Sequence, residues 1–295
     1  MNTILLYFNL HLKSSIKDIL SVINAIQKFN KDIFIHDAFF QNIDKEDLIN
    51  IERSKLFSYR QLDEIKRPIH LLIVIGGDGT LLEAVHLVKN KNIPILGINT
   101  GRLGFLANLN FNDIDNALQY IFRGKYSIDK RTMLKLETEN NKTDFDYALN
   151  EFTIHKMYSS SMITIDLLIN GIHVNTYWAD GIIIATPTGS TAYSLSAGGP
   201  IIHPDSKSFV ITPIAVHNLN VRPLIVPDSC IITLKVTGRS DHCMISLDHK
   251  STSVPINATF TISKADIETN LLHCPEYNFF NTLKNKLMWG LDKRN

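Results

Sequence analysis

The chain has 295 residues, enough for a large core and two domains, and its 44% hydrophobic and 20% charged residues are the proportions of a globular protein, not a disordered one. A net charge of +1 excludes the broad basic field of a nucleic-acid binder, so nucleic acid is not an expected partner. Cys230, Cys243 and Cys274 are far apart, odd in number and without a C-x-x-C pair, which points to reduced thiols in a cytoplasmic protein and away from structural zinc.

Residues 3–8 are apolar but too short to span a bilayer, and neither an early basic residue nor a small-residue cleavage pattern accompanies them. They read as a first strand, and no membrane association is expected. Ser14 or Ser15 then caps a helix with apolar residues at Ile16, Ile19, Leu20, Ile23 and Ile26. Residues 33–35 form a short strand, and the polar stretch 45–66 reads as loop with a short helix. A central strand at 70–75 runs into Gly76-Gly77-Asp78-Gly79-Thr80, and residues 81–88 resume helical spacing. Another strand at 93–98 leads to a second glycine-bearing loop, 99–105, and a helix at 113–122 ends at Gly124. Strands separated by helical runs imply parallel βαβ units, whose ligand crevice lies outside the strand C-termini, where both glycine loops emerge.

Past Gly124 helical periodicity nearly disappears. Short β-rich runs follow at 133–138, 147–155, 163–169, 181–185, 209–214, 230–236, 244–247 and 259–263, and Asn170-Gly171 is a type I′ hairpin signal. Residues 279–287 turn helical again. The expected architecture is an α/β N-terminal domain with a parallel sheet, residues 1–125, joined by a tail, 276–295, that returns to it. Residues 126–275 form an all-β C-terminal domain expected to bind the nucleotide.

Chemistry concentrates in two stretches. Three glycines around Asp78, between a strand end and a helix N-terminus, leave bare N–H groups that favour an anion. A lone acid in such a cradle suits holding a metal ion, taking a proton from an attacking hydroxyl, or both. The blander alternative is a tight turn in which Asp78 caps its helix through the N–H of Thr80 or Leu81. The loop has neither the Gly-Lys-Ser/Thr ending of a P-loop nor G-x-G-x-x-G spacing. The second stretch, residues 186–200, combines five Ser/Thr side chains between Thr186 and Ser194 with Tyr193, Gly189, Gly198 and Gly199. Hydroxyls suit ribose and adenine edges, and a tyrosine offers a face or a hydroxyl to a base. A loop held by its own side-chain-to-backbone bonds explains the composition equally well.

Together, Gly76 through Thr80, Asn150-Glu151 and Thr186 through Pro200 resemble the NAD kinases in order and spacing, and the loop 99–105 and tail 279–287 extend the likeness over nearly the whole chain. The first motif alone is shared with diacylglycerol- and sphingosine-type lipid kinases and, more loosely, 6-phosphofructokinases, so the alternatives are a lipid or sugar kinase, or a dinucleotide-binding regulator without catalysis. The resemblance implies transfer of the ATP γ-phosphate to the 2′-hydroxyl of the adenosine ribose of NAD, with Mg²⁺ as the expected divalent ion and a homo-oligomer, dimer or tetramer, as the expected assembly. Asp78 matches the catalytic acid that accepts the hydroxyl proton, with Gly79 beside it in the nucleotide site. Asn150 and Glu151 match the pair in the NAD pocket, and Asp180 an aspartate on the nicotinamide side. Thr188, Thr191, Ala192, Tyr193, Ser194, Leu195 and Ser196 match the segment lining that pocket, and Phe105 an aromatic near the adenosine. Ser161, Trp178 and Lys250 fall at dinucleotide-contacting positions but differ from the usual residues. His217 reads as structural, and Arg222 as either a phosphate contact or a carboxylate partner. The donor site shows no P-loop lysine, leaving metal, glycine N–H groups and cations such as Arg102 to hold the triphosphate.

Overall fold

The computed structural model describes residues 1–9, 16–41, 43, 51–89, 91–101, 104–138, 145–157 and 161–290; the expected cap Ser14 or Ser15, and Arg102, lie outside the described residues. Two units divide the chain: Met1–Lys130 with Thr269–Asn295, and Arg131–Glu268.

In the first unit, β1 (Thr3–Phe8), β2 (Asp32–His36), β3 (Leu56–Tyr59), β4 (Leu71–Ile75) and β5 (Ile95–Asn99) form a parallel sheet in the order β5-β4-β1-β2-β3. The main helices of this unit are α1 (Ile16–Gln27), α2 (Asp78–Val88) and α3 (Ile114–Phe122). Side chains alternate along a strand, so each strand serves both faces. Ile4, Leu6, Ile33, Ile35, Ile73 and Ile75 meet Ile19, Ile23 and Ile26 of α1 and Leu118 and Ile121 of α3. Gly97 points to the other face, where a Cβ would lie 2.8 Å from Leu81 of α2. That face therefore belongs to α2, the helix that follows the first glycine turn.

The tail is part of this unit. Leu271, near the end of the strand Thr259–His273, pairs in parallel with Ile95, and Leu272 joins the core. His273 is buried, sharing hydrogen bonds with Asn108 (3.2 Å) and Asp129 (3.3 Å) and stacking on Tyr277 at 3.6 Å. Helix α4 (Phe279–Leu287) is capped by the Asn278 side chain, which accepts from Phe280 N–H, and buries Thr282 and Leu283.

The second unit is built from antiparallel strands: β6 (Glu151–Lys156), β7 (Ile163–Ile169), β8 (Ile172–Ala179), β9 (Gly181–Ala185), β10 (Ser208–Ile214), β11 (Leu224–Pro227), β12 (Ile232–Thr237), β13 (His242–Leu247) and β14 (Lys250–Pro255). One sheet has the order β11-β10-β9-β6-β13-β14; in the other, β7 lies between β8 and β12, and β12 pairs with residues 259–262. Phe152, Ile182, Phe209 and Ile245 from the first sheet share one core with Ile165, Tyr177, Leu234 and Phe260 from the second. At about 25 cal/mol per Å², burial of such side chains is the main stabilising contribution. Asn170 and Gly171 have φ of 50° and 80°, the positive pair a type I′ turn requires, and Ile169 faces Ile172 across it.

The α/β unit with a parallel sheet and the antiparallel β unit agree with the expectation. Several elements differ in detail. Residues 56–59 form β3 inside the stretch that reads as loop, because four residues show no period. The run 147–155 is two strands, Tyr147–Ala148 and β6, broken where Asp248 takes the N–H groups of Leu149, Asn150 and Glu151. The run 259–263 continues to His273. Strand β8 is absent from the β-rich runs, although the Asn170-Gly171 turn implies a partner for β7. Its Ile172, Val174 and Trp178 are exposed, so the apolar alternation faces outward. Strands β11 and β14 are short edges that bury little beyond Val226 and Val254.

Candidate active site

In the first unit, β4 ends at Ile75 and Gly76 turns the chain at φ +153°, where a Cβ would lie 2.6 Å from Thr80 Oγ1. Gly77 is the extended N-cap of α2, and Leu81 N–H begins the helical ladder by donating to Gly77 O at 3.1 Å. A Cβ on Gly77 or Gly79 would meet nothing within 4 Å, so the helix N-terminus is open to an approaching anion.

Asp78 does not cap its helix. Its Oδ2 accepts from Phe105 N–H (2.8 Å), and its Oδ1 accepts from Leu106 (3.0 Å) and Ala107 (2.9 Å). The second glycine loop therefore holds the acid of the first. Gly104 makes that approach possible, since a Cβ there would stand 2.0 Å from Asp78 Oδ1. Asn99 shapes the same loop: its Oδ1 accepts from Gly101 N–H at 2.7 Å, and its Nδ2 donates to Ala107 O at 3.4 Å. Phe105, itself half-buried, contributes its N–H to the acid. A carboxylate offers about four acceptor sites, and three are taken, so one remains for a substrate hydroxyl.

In the second unit, Asp248 plays the organising part. It accepts from Leu149 (2.8 Å), Asn150 (2.7 Å) and Glu151 (3.2 Å) N–H, setting Asn150 and Glu151 at the head of β6. Glu151 is 9% exposed, and its Oε2 has no hydrogen-bond partner among the described residues. Burial first and the nearby Asp248 second push its carboxyl up to about 8, against a Tyr193 N–H that favours the ionised form. The shift favours the protonated form, which can donate as well as accept.

The segment 186–200 folds against this pair. A Cβ on Gly189 would lie 2.2 Å from Asn150 O, so only glycine lets the turn come so close. Thr186 Oγ1 donates to Leu149 O (2.6 Å), Ser190 Oγ to Pro187 O (2.7 Å), and Ser194 Oγ shares a hydrogen bond with Thr212 Oγ1 (2.8 Å). All three residues are fully buried, so much of the hydroxyl richness seen in the sequence is internal scaffolding. Thr188 is buried and accepts from Arg131. Thr191, Ala192 and Leu195 are half-buried, while the ring of Tyr193 is exposed at 38%. Ser196, at the end of the short helix Tyr193–Ser196, is exposed as well.

Tyr193 is the centre of the accessible group. Its ring stacks on His155 at 5.6 Å, and both Asp180 and Glu151 are near enough to raise its phenol further, after burial. Asp180 pairs with Lys156 at 2.6 Å. Trp178 is 51% exposed, lies 5.5 Å from the His217 ring and accepts the His217 N–H through its carbonyl. Ser161 precedes β7 and Lys250 begins β14; both are half-buried and stand outside this bonded cluster. Arg222 pairs with no carboxylate among the described residues, donating instead to the carbonyls of Leu219 and Val221. Asp248, Arg131, His155 and Lys156 escape sequence reasoning, whereas Gly104 lies in the glycine-bearing loop 99–105 that the sequence singles out. Only His155 and Lys156 carry a signal, as the polar end of an apolar strand.

An acid held by loop amides at an open helix N-terminus, at the C-terminal end of a parallel sheet, is an arrangement suited to a phosphotransferase. The families described as ATP-NAD kinase N-terminal domain and ATP-NAD kinase C-terminal domain match residues 23–126 and 149–274. The NAD kinase of Flavobacterium psychrophilum is 46% identical over 269 residues, covering 90% of each chain, and that of Flavobacterium johnsoniae is 44% identical over 292, covering 98% of this chain and 97% of its own. Among solved structures, the yeast NADH kinase complexed with NADH superposes with a TM-score of 0.88 at 24% identity, covering 99% of this chain and 89% of its own. The NAD kinase from Archaeoglobus fulgidus in complex with ATP gives 0.74 at 22%, covering 98% and 100%. The chain belongs to the NAD kinase family. Its activity is phosphorylation of NAD, and the lipid- and sugar-kinase alternatives are not favoured.

Proposed function

We propose that Asp78 is the general base that carries this activity, in the transfer of the ATP γ-phosphate to the 2′-hydroxyl of the adenosine ribose of NAD. The observation that carries the reading is the three-point anchoring of Asp78, which leaves one acceptor direction at the open end of α2. A bond forms between O2′ and the γ-phosphorus, the bond from that phosphorus to the β,γ-bridging oxygen breaks, the hydroxyl proton passes to Asp78, and ADP leaves. Positioning does most of the acceleration, because the transition state is loose and the base is needed late. Gly79 N–H and its neighbours at the helix N-terminus face the phosphates.

The NAD side is assigned to Asn150, Glu151, Thr188, Asp180 and the segment from Thr191 to Ser196, with Tyr193 as the exposed face for a base and Phe105 near the adenosine. Ser194 contributes through its backbone, since its hydroxyl is paired with Thr212. Trp178, Ser161 and Lys250 complete the assignment. Protonated Glu151 suits a ribose hydroxyl or a ring nitrogen equally, being donor and acceptor at once.

Mg²⁺ fits the residues present. No group of three His, Cys, Asp or Glu among the described residues could hold a metal unaided, whereas Mg²⁺ needs only one or two carboxylates together with substrate phosphates. With three acceptor directions of Asp78 taken by amides and the fourth given to the hydroxyl, the substrate phosphates would supply most of the ion's ligands and Asp78 would reach it only through water; the ion when bound neutralises charge on the β- and γ-phosphates. Exposed Ile172, Val174 and Trp178 on β8, with Ile225 on β11, support a homo-oligomer, dimer or tetramer. Three free thiols support a reducing compartment, the cytoplasm, and no described helix is long and apolar enough to cross a membrane. The test is a coupled assay with Mg-ATP and NAD, in which NADP formation that disappears in Asp78→Asn supports the assignment. NADP formation that persists in that variant refutes it.

A further inference from the structure

The residues assigned to NAD account for the acceptor and leave the base of the donor without a place. A cavity of about 510 Å³ lies in the first unit at the ends of β1, β2 and β3, whose last residues, Phe8, His36 and Tyr59, all line it. It opens at the same C-terminal end of the sheet as the Gly76–Gly79 turn, which follows β4. Its wall on the helix side includes Leu87 of α2, and Glu83 of the same helix bonds to lining residue Tyr7. Glu83 and Leu87 are five and nine residues beyond Asp78, about 7.5 and 13.5 Å along the helix axis at about 1.5 Å per residue. That interval suits a ribose and a triphosphate running from the cavity back to the helix N-terminus.

The lining is right for a purine and wrong for a phosphate. Leu87 and Tyr7 present apolar surface backed by the nearly buried Leu62 and Tyr59, and the one permanent cation among the lining residues, Arg60, pairs with Asp37 at 2.7 Å. Besides His36 and Gln61 at its lining, a donor and an acceptor stand at it, Tyr59 in the wall and Glu83 behind Tyr7. Tyr59 is 4% exposed, and its hydroxyl makes no hydrogen bond among the described residues. Burial pushes that phenol up to about 12, so it remains a donor. Tyr7 donates to one oxygen of Glu83 at 3.0 Å, leaving the other as an acceptor. A donor and an acceptor over an apolar floor match the ring nitrogens and exocyclic amine of adenine.

We propose that this groove beside α2 binds the purine base of the phosphoryl donor. The proposal rests on the kinase reading above, and its test separates the two. Two variants of the full chain probe the groove. Leu87→Trp fills it, and Tyr59→Phe removes only the hydroxyl; circular dichroism establishes that each is folded. With NAD as acceptor, Leu87→Trp raises the KM for ATP by about tenfold or more. Tyr59→Phe raises it by about three- to tenfold, the worth of one hydrogen bond. The KM for NAD stays within about twofold in both. In parallel, 8-azido-ATP photolabels peptides containing Tyr59 to Leu62 or Leu87, and ATP, but not NAD, protects them. An unchanged KM for ATP in both folded variants, or label confined to other peptides, overturns the groove. Absence of NADP formation by the unmodified chain overturns the kinase reading instead, and the photolabel then still decides the groove by itself.

Discussion

Replacing Gly104 with alanine tests whether the peptide loop sets the catalytic acid. The new methyl carbon would stand 2.0 Å from Asp78 Oδ1, 2.7 Å from Cγ and 3.0 Å from Oδ2, and real Cβ atoms essentially never come within 3.0 Å of such neighbours. Relief therefore requires the carboxylate, or the loop, to withdraw by about 1 Å, which stretches the bonds from Leu106 and Ala107 beyond useful length. A misplacement of about 1 Å in a reacting group costs about 100-fold in rate. The expected outcome is a kcat lowered about 100-fold with the KM for NAD within about threefold, because the NAD pair belongs to a different segment. Gly101→Ala is the matched control: its Cβ would find nothing closer than Asn99 Oδ1 at 3.9 Å, and it should leave kcat within about twofold. Initial rates of NADP formation at saturating ATP, read through an NADP-dependent dehydrogenase, measure both. A Gly104→Ala enzyme with kcat within a factor of about three of the parent would refute the claim that loop 105–107 positions Asp78.

Asp78→Asn should lower kcat by about 10³-fold while calorimetry still detects NAD binding; it also turns an NH₂ toward N–H donors, so its loop loosens as well. For Glu151 the sign follows from a carboxyl raised from 4.5 to about 8 in the folded chain: the native state holds the proton longer, so its contribution to stability is whole below about pH 4.5 and disappears as pH rises towards 8. Urea unfolding of Glu151→Gln at about pH 5, 7 and 9 should show a shallower decline than the parent, and parallel declines would contradict the assignment. Asp248→Asn keeps one oxygen for three N–H groups and should cost about 2 kcal/mol in thermal unfolding, with a raised KM for NAD; an unchanged melting curve would show that another group holds the turn.

Much of the first unit can be read from the chain because its signals are local. The all-apolar run from Leu71 to Ile75, ending in glycine, and helix α1, with five buried positions on one face, declare themselves within a dozen residues. Asp78 can be found for the same reason, since its glycines flank it. What holds it cannot, because Phe105, Leu106 and Ala107 contribute backbone N–H groups that any residue supplies. Asp248 is hidden similarly: it lies 98 residues from the Asn150 amide it organises, in a turn whose residues, Asp-His-Lys, show no pattern. Composition leaves the hydroxyl-rich segment open between ligand contact and scaffold, and only burial assigns Thr186, Ser190 and Ser194 to the interior. Edge strands β8 and β14 lack a clear signal because an edge need not present an apolar face inward.

The bond between Asn108 and His273 bears on how the protein is made. Asn108 directly follows Ala107, one of the three donors to Asp78, and its partner lies 165 residues later in the chain. The loop that aims the acid therefore gains this anchor only once residue 273 has been synthesised, and a nascent chain that already carries every glycine and the acid itself still lacks it.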